Sequence, residues 1–110
     1  MNEVNIPCID VHELKQKRDE NSNLCLIDVR EQDEWDLMHI PGAKHLPKDT
    51  IAERIHEVTT DKNKPIYLHC RSGVRSLYAA QVLLSLGYQQ VFSVNGGIQE
   101  WAMFGYEIEE

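Results

Sequence analysis

The feature that most narrows what this chain can fold into is a regular alternation. Short apolar runs of β character, each bounded by turn residues, are separated by segments with helical spacing. The β-type runs are CI at 8–9, LCLID at 24–28, AKHL at 43–46, PIYLHC at 65–70 and QVFSV at 90–94. A first helix is predicted from Val11 to about Asp19 behind Asp10 as N-cap, with Val11, Leu14 and the stem of Arg18 on one face. EQDEWDLM, 31–38, reads as a second, its Glu31, Asp33 and Glu34 suiting the positive end of a helix dipole. It must stop before HIPGA, because Pro41 disfavours helix at Ile40 and Gly42 permits a turn. A capping box, Thr50-x-x-Glu53, predicts a third helix through Ile55 to Val58. The fourth spans 76–87, with Ser76 as cap, Gly87 as terminator, and Leu77, Ala80, Leu83 and Leu84 giving the spacing. A short fifth, GIQEWAMFG, follows. Alternating strands and helices imply an α/β fold, a mostly parallel sheet with helices on both faces, in which ligands bind beyond the carboxyl ends of strands. Cys70 sits at such an end.

Composition closes off several functions. At 110 residues, without repeats or a Gly/Ser linker, the chain is read as a single domain over 1–110. No stretch approaches the ~18 unbroken apolar residues of a membrane span, so no membrane partner is expected. The opening MNEVNIPCID carries an acid where a secretory leader has a basic patch, and the expected location is cytoplasmic. With 18 acidic against 11 basic side chains the net charge is −7, which repels phosphate backbones and argues against nucleic acid as a partner. Any anionic substrate then needs a local basic pocket, for which Arg71 and Arg75 stand out. Three cysteines cannot all pair and no CxxC is present, which argues against a disulfide scaffold and a thioredoxin-type pair. The five histidines lack the paired spacing of a zinc site, and Cys8-x3-His12 alone does not make one, so no metal is expected.

The chemistry concentrates in HCRSGVRS, 69–76. A strand delivers the Cys70 thiol to the sheet edge and a helix carries the chain away. RSGVR between them must curl so tightly that its N–H groups, with those of the helix's first turn, converge on one point. Gly73 supplies the dihedral freedom and Ser72 the room. The loop from Arg71 through Ser72, Gly73, Val74 and Arg75 to Ser76 is thus an anion cradle centred on sulfur, and it favours thiolate over thiol. Arg71 is expected to recruit an anion at the mouth; Arg75 either does the same or braces the loop against a carboxylate. Cys8 and Cys25, inside apolar runs, read as buried structural cysteines. His69 points opposite to Cys70 in a period-two strand and reads as packed rather than as a general base. Trp35 and Trp101 read as core aromatics.

These motifs, LIDVR at 26–30, HIPGAKHLP at 39–47, CRSGVRS at 70–76 and NGGIQEW at 95–101, make the chain resemble the rhodanese-like family of single-domain sulfurtransferases. The resemblance implies a five-stranded sheet flanked by helices. It also implies a catalytic Cys70 carrying sulfane sulfur as a covalent persulfide, with no separate cofactor. Asp28 and Arg30 match the family's DVR element and are expected to brace the loop as an ion pair. The expected activity is thiosulfate sulfurtransferase-like: a small sulfur anion donates and cyanide or a thiol accepts. Two further readings stay open: a sulfur relay with a protein donor or acceptor, and a regulatory binding module. Cysteine phosphatase and arsenate reductase chemistry rank lower. Cysteine phosphatases read HC-x5-R-[ST], whereas here the spacing is HC-x4-R-S, and the shorter ring suits sulfur better than a tetrahedral oxyanion. Where some family members place a basic residue after DVR, this chain has EQDEWD, which bears on the natural donor.

Overall fold

The computed structural model describes residues 5–110. Residues 1–4, part of the opening stretch read for a leader, lie outside the described residues. Five short strands, β1 (Cys8–Ile9), β2 (Cys25–Asp28), β3 (Lys44–His45), β4 (Ile66–His69) and β5 (Val91–Val94), alternate with five helices. The helices are α1 (Val11–Glu20), α2 (Gln32–Leu37), α3 (Ile51–Arg54), α4 (Val74–Ser85) and α5 (Gly97–Met103). The strands form one sheet in the order β1-β5-β4-β2-β3, and every pairing in it is parallel.

Strand alternation sorts the core into two layers. Cys25, Ile27, Ile66, Leu68 and Val91 face one way, against Ile51 and Ile55 of the α3 segment and Ala79, Ala80 and Leu83 of α4. Ile9, Leu26, Tyr67 and Val94 face the other way, against Val11 and Leu14 of α1 and Ile98 and Trp101 of α5. The strand order also makes a crevice. From β2 the chain leaves toward β3, and from β4 it leaves in the opposite direction toward β5, so a topological switch point lies between the carboxyl ends of β2 and β4. Asp28 and His69 end those two strands and are register partners.

Several local expectations are corrected. α4 starts at Val74, with Gly73 rather than Ser76 as N-cap, because Gly73 takes φ +126° and lets the chain turn into the helix early. That shift puts Ser76, Ala79, Ala80 and Leu83 on the buried face and leaves Leu77 at 39% exposure. The third helix is one α-turn flanked by 3₁₀ turns at Lys48–Thr50 and Ile55–Glu57. Thr50 is already inside the first of these, and its hydroxyl donates to the Pro47 carbonyl (2.8 Å) instead of capping. Trp35 is only half-buried, stacked between His39 and His45 at centroid distances of 3.9 and 4.9 Å, whereas Trp101 is a core residue. Cys8 is exposed, since β1 is an edge strand, while Cys25 is buried and its thiol pKa is pushed up by that burial. No helix among the described residues is long and apolar enough to cross a membrane.

Candidate active site

Cys70 follows the last residue of the central strand, and four positions further on, at Val74, α4 begins. The Gly73 N–H donates to Cys70 Sγ at 3.1 Å, and Ser76 Oγ lies 3.7 Å from the sulfur. Ser76 is buried in the first turn of α4; its hydroxyl donates to the Gly73 carbonyl (3.1 Å) and lies 2.7 Å from Ser93 Oγ of β5. Among the described residues, no N–H from Arg71 to Ser76 donates to a main-chain carbonyl. The ring of amides therefore keeps its hydrogen-bonding capacity for the sulfur.

The loop's carbonyls are spent instead on α5. The N–H groups of Gly96, Ile98 and Gln99 donate to the carbonyls of Ser72 (2.9 Å), Cys70 (3.0 Å) and Arg71 (3.0 Å). A helix start leaves its first amides without intrahelical acceptors, and here the loop satisfies them, which aims its own amides the other way. Gly97 makes the approach possible: a Cβ there would sit 2.3 Å from the Cys70 carbonyl oxygen.

The Cys70 side chain is 1% exposed and adjoins the α4-side core. Burial pushes its thiol pKa up, but the backbone N–H and hydroxyl of Ser76 and the N–H groups of Gly73 and Ser72 outweigh it, and the net shift is downward. The site favours thiolate while shielding it from bulk water.

Each remaining residue singled out from the sequence has a definite place. Arg75 is drawn away from the sulfur: its guanidinium forks onto Glu34 of α2 through Nη1–Oε1 (2.6 Å) and Nη2–Oε2 (2.9 Å). This hydrogen bonding holds the Glu34 carboxyl down at about 2 and pushes the Arg75 pKa up. Of the two roles open to Arg75, the side chain adopts bracing. Asp28 and Arg30 form a buried pair, Nη2–Oδ2 2.8 Å and Nε–Oδ1 3.0 Å, and Arg30 also donates to the Met38 carbonyl (2.7 Å). Burial raises the Asp28 pKa, yet the charge interaction with His69, followed by the hydrogen bonds and charge of Arg30, carries it below the ordinary range. His69 is fully buried; Nδ1 lies 3.2 Å from the Cys70 carbonyl and Nε2 3.6 Å from Asp28 Oδ2, with no hydrogen-bond partner for Nε2 among the described residues. Burial lowers its pKa and keeps the ring neutral at neutral pH. Arg71, Ser72 and Val74 are exposed at the mouth.

Sequence reasoning missed Glu34 as the brace, Ser93 as the partner of Ser76, and the work of Gly96 and Gly97. Signals for two of these existed: a serine inside the apolar run QVFSV, and consecutive glycines opening a helix, which mark a close backbone approach. Glu34 gave none, because an acid early in a helix is already explained by the helix dipole.

Fold and site together define an α/β domain built around a loop-cradled cysteine. The sequence profile of the Rhodanese-like domain family matches residues 10–104, and the chain belongs to that family. It is similar to a sulfurtransferase of Allochromatium vinosum, 37% identical over 100 residues that cover 91% of this chain and 92% of that protein. A solved rhodanese-like domain protein from Staphylococcus aureus superposes with a TM-score of 0.82 at 33% identity, covering 96% of this chain and 100% of that one. A Bacillus subtilis protein named as a candidate sulfur carrier, YrkF, is 37% identical over 100 residues, and there the match spans 91% of this chain but only 53% of the relative. The chain thus covers about half the length of that relative.

Proposed function

We propose that this protein is a sulfurtransferase that carries sulfane sulfur on Cys70 as a persulfide. The Cys70 thiolate attacks the outer sulfur of a donor such as thiosulfate; the S–S bond of the donor breaks, sulfite leaves with the electron pair, and Cys70–S–S⁻ remains. A second thiophile, cyanide or a thiol, then attacks the terminal sulfur and restores the thiolate. The amides from Arg71 to Ser76 hold the terminal sulfur as an oxyanion hole holds oxygen, Arg71 attracts the anionic partner, and the Glu34–Arg75 and Asp28–Arg30 pairs keep the ring in shape. No metal or separate cofactor takes part.

The single observation that carries this reading is the N–H of Gly73 aimed at Cys70 Sγ from 3.1 Å, within a loop whose amides have no other main-chain acceptor among the described residues. The names of relatives agree with it: one from Tolumonas auensis, 34% identical over 79 residues, is a thiosulfate sulfurtransferase. A relay between proteins, in which a partner's cysteine replaces the small anion, is the second reading, favoured by the carboxylates of α2 beside the mouth. The test is intact mass after thiosulfate treatment. One added sulfur that disappears on reduction and in Cys70→Ser is expected; sulfur loading that persists in Cys70→Ser overturns the assignment.

A further inference from the structure

A groove of about 360 Å³ opens next to Arg71, between α2 and α5, with Leu37, Met38, Ile98 and Ala102 as its apolar walls. Its inner end adjoins the loop: Ile98 donates its N–H to the Cys70 carbonyl, and the lining residue Arg71 directly follows Cys70 in the chain. Its outer end is apolar surface open to solvent: Leu37 is 76% exposed.

The charges around this groove follow a pattern. Arg30 is neutralised by Asp28 and Glu34 by Arg75, leaving Arg71 as the one lining cation without an ion-pair partner among the described residues. On the α2 side of the groove, Asp33 and Asp36 of α2 and its N-cap Glu31 are exposed, none within ion-pair distance of a cation among the described residues. Asp33 and Leu37 are four residues apart on one helix and share a face, so the Asp33 carboxylate borders the exposed apolar side chain directly. Positive at the sulfur, apolar along the floor and negative at the rim is a poor fit to a small dianion arriving from solvent. It matches a cysteine whose sulfur becomes anionic during transfer, followed by an apolar side chain and flanked by lysine or arginine.

We infer that the groove between α2 and α5 docks a partner protein through a cysteine segment bearing an apolar anchor and basic flanks, and that sulfur passes between that cysteine and Cys70. The inference rests on the persulfide reading of Cys70. When the partner donates, Cys70–S⁻ attacks the outer sulfur of R–S–SH. A new S–S bond forms and the old one breaks, the electron pair leaves on R–S⁻ beside Arg71, and the proton stays on the transferred sulfur. Delivery to an acceptor thiolate is the same line of three sulfurs run backwards, so one groove serves both directions. A second copy of this acidic chain is the disfavoured occupant, since its own rim would face like charge.

The experiment uses two short peptides with a single cysteine beside a leucine, one flanked by lysines and one by glutamates. Sulfur transfer from thiosulfate-loaded protein to each peptide is followed by mass, and binding is followed separately with serine in place of the peptide cysteine. The lysine peptide is expected to accept sulfur with a kcat/KM about tenfold higher at low salt, the preference shrinking as salt rises. In the double variant Asp33→Lys, Asp36→Lys the preference is expected to reverse, and in Leu37→Ser both peptides should bind more weakly, while turnover with cyanide stays within about twofold because neither change touches the loop. Equal rates for the two peptides, a preference indifferent to charge reversal, or a stable dimer that Leu37→Asp dissociates overturns the docking assignment. If Cys70 never loads with sulfur, the transfer reading fails by itself; the serine-peptide binding then still reports on the groove.

Discussion

Gly97→Ala is the substitution whose effect can be worked most directly from the geometry. The added Cβ would stand 2.3 Å from the Cys70 carbonyl oxygen and 2.6 Å from that of Arg71, and both are main-chain atoms that cannot swing aside as a side chain can. Relief requires α5 and the loop to separate, which breaks the bonds from Ile98 to Cys70 and from Gln99 to Arg71. Losing two such bonds costs about 1–3 kcal/mol in all. The positive φ of +53° adds roughly 1–2 kcal/mol for any residue with a Cβ. Gly105→Ala is the internal control: φ is +81° there, but a Cβ would meet nothing within 4 Å, so only the dihedral cost applies. The expected urea-unfolding loss is therefore about 2–5 kcal/mol for Gly97→Ala and about 1–2 kcal/mol for Gly105→Ala, with unchanged m-values. Only the first should slow thiosulfate loading of Cys70, because only the first moves the amide ring. Equal destabilisation by the two variants, or full loading in Gly97→Ala, would refute the idea that α5 holds the loop by its carbonyls.

Ser76→Ala removes a hydroxyl that helps lower the Cys70 pKa and strands the buried Ser93 hydroxyl, at a cost of about 1–3 kcal/mol; the alkylation–pH profile of Cys70, expected to have its midpoint below 9.0 in the parent, should move upward. Glu34→Gln should cost about 1 kcal/mol at neutral pH, discounted because the pair is partly open to solvent. Since the folded Glu34 value is depressed from 4.5 to about 2, that stabilisation is present above 4.5 and lost as pH falls through about 2, so the gap between parent and variant in acid unfolding should close over that window. Asp28→Asn leaves the Arg30 guanidinium buried without its carboxylate, and a loss of about 3–5 kcal/mol in urea unfolding is expected.

Much of the architecture was legible in the chain because it rests on short-range patterns. The β-type runs fall on the strands to within a residue, and Asp10 caps α1 by accepting the Glu13 N–H, since both depend on neighbours a few positions away. The thiol at a strand end, followed by a glycine that can turn the chain, was visible for the same reason. Thr50 and Ser76 show the limit: each has a cap residue's chemistry, but its hydroxyl is claimed by a carbonyl that only the turn around it brings near.

Taken alone, the sequence determined that a parallel α/β layer would form and that Cys70 would emerge at its carboxyl edge in a curl of backbone amides, because periodicity, glycine and strand ends are local properties. Tertiary structure decided which way the parts of that edge point. It turned Arg75 to Glu34 across 41 positions, joined Ser76 to Ser93 across 17, and set the start of α5 against the loop's carbonyls. Those pairings depend on strand order and helix placement, and carboxylates or serines elsewhere in the chain would have served the same local grammar equally well.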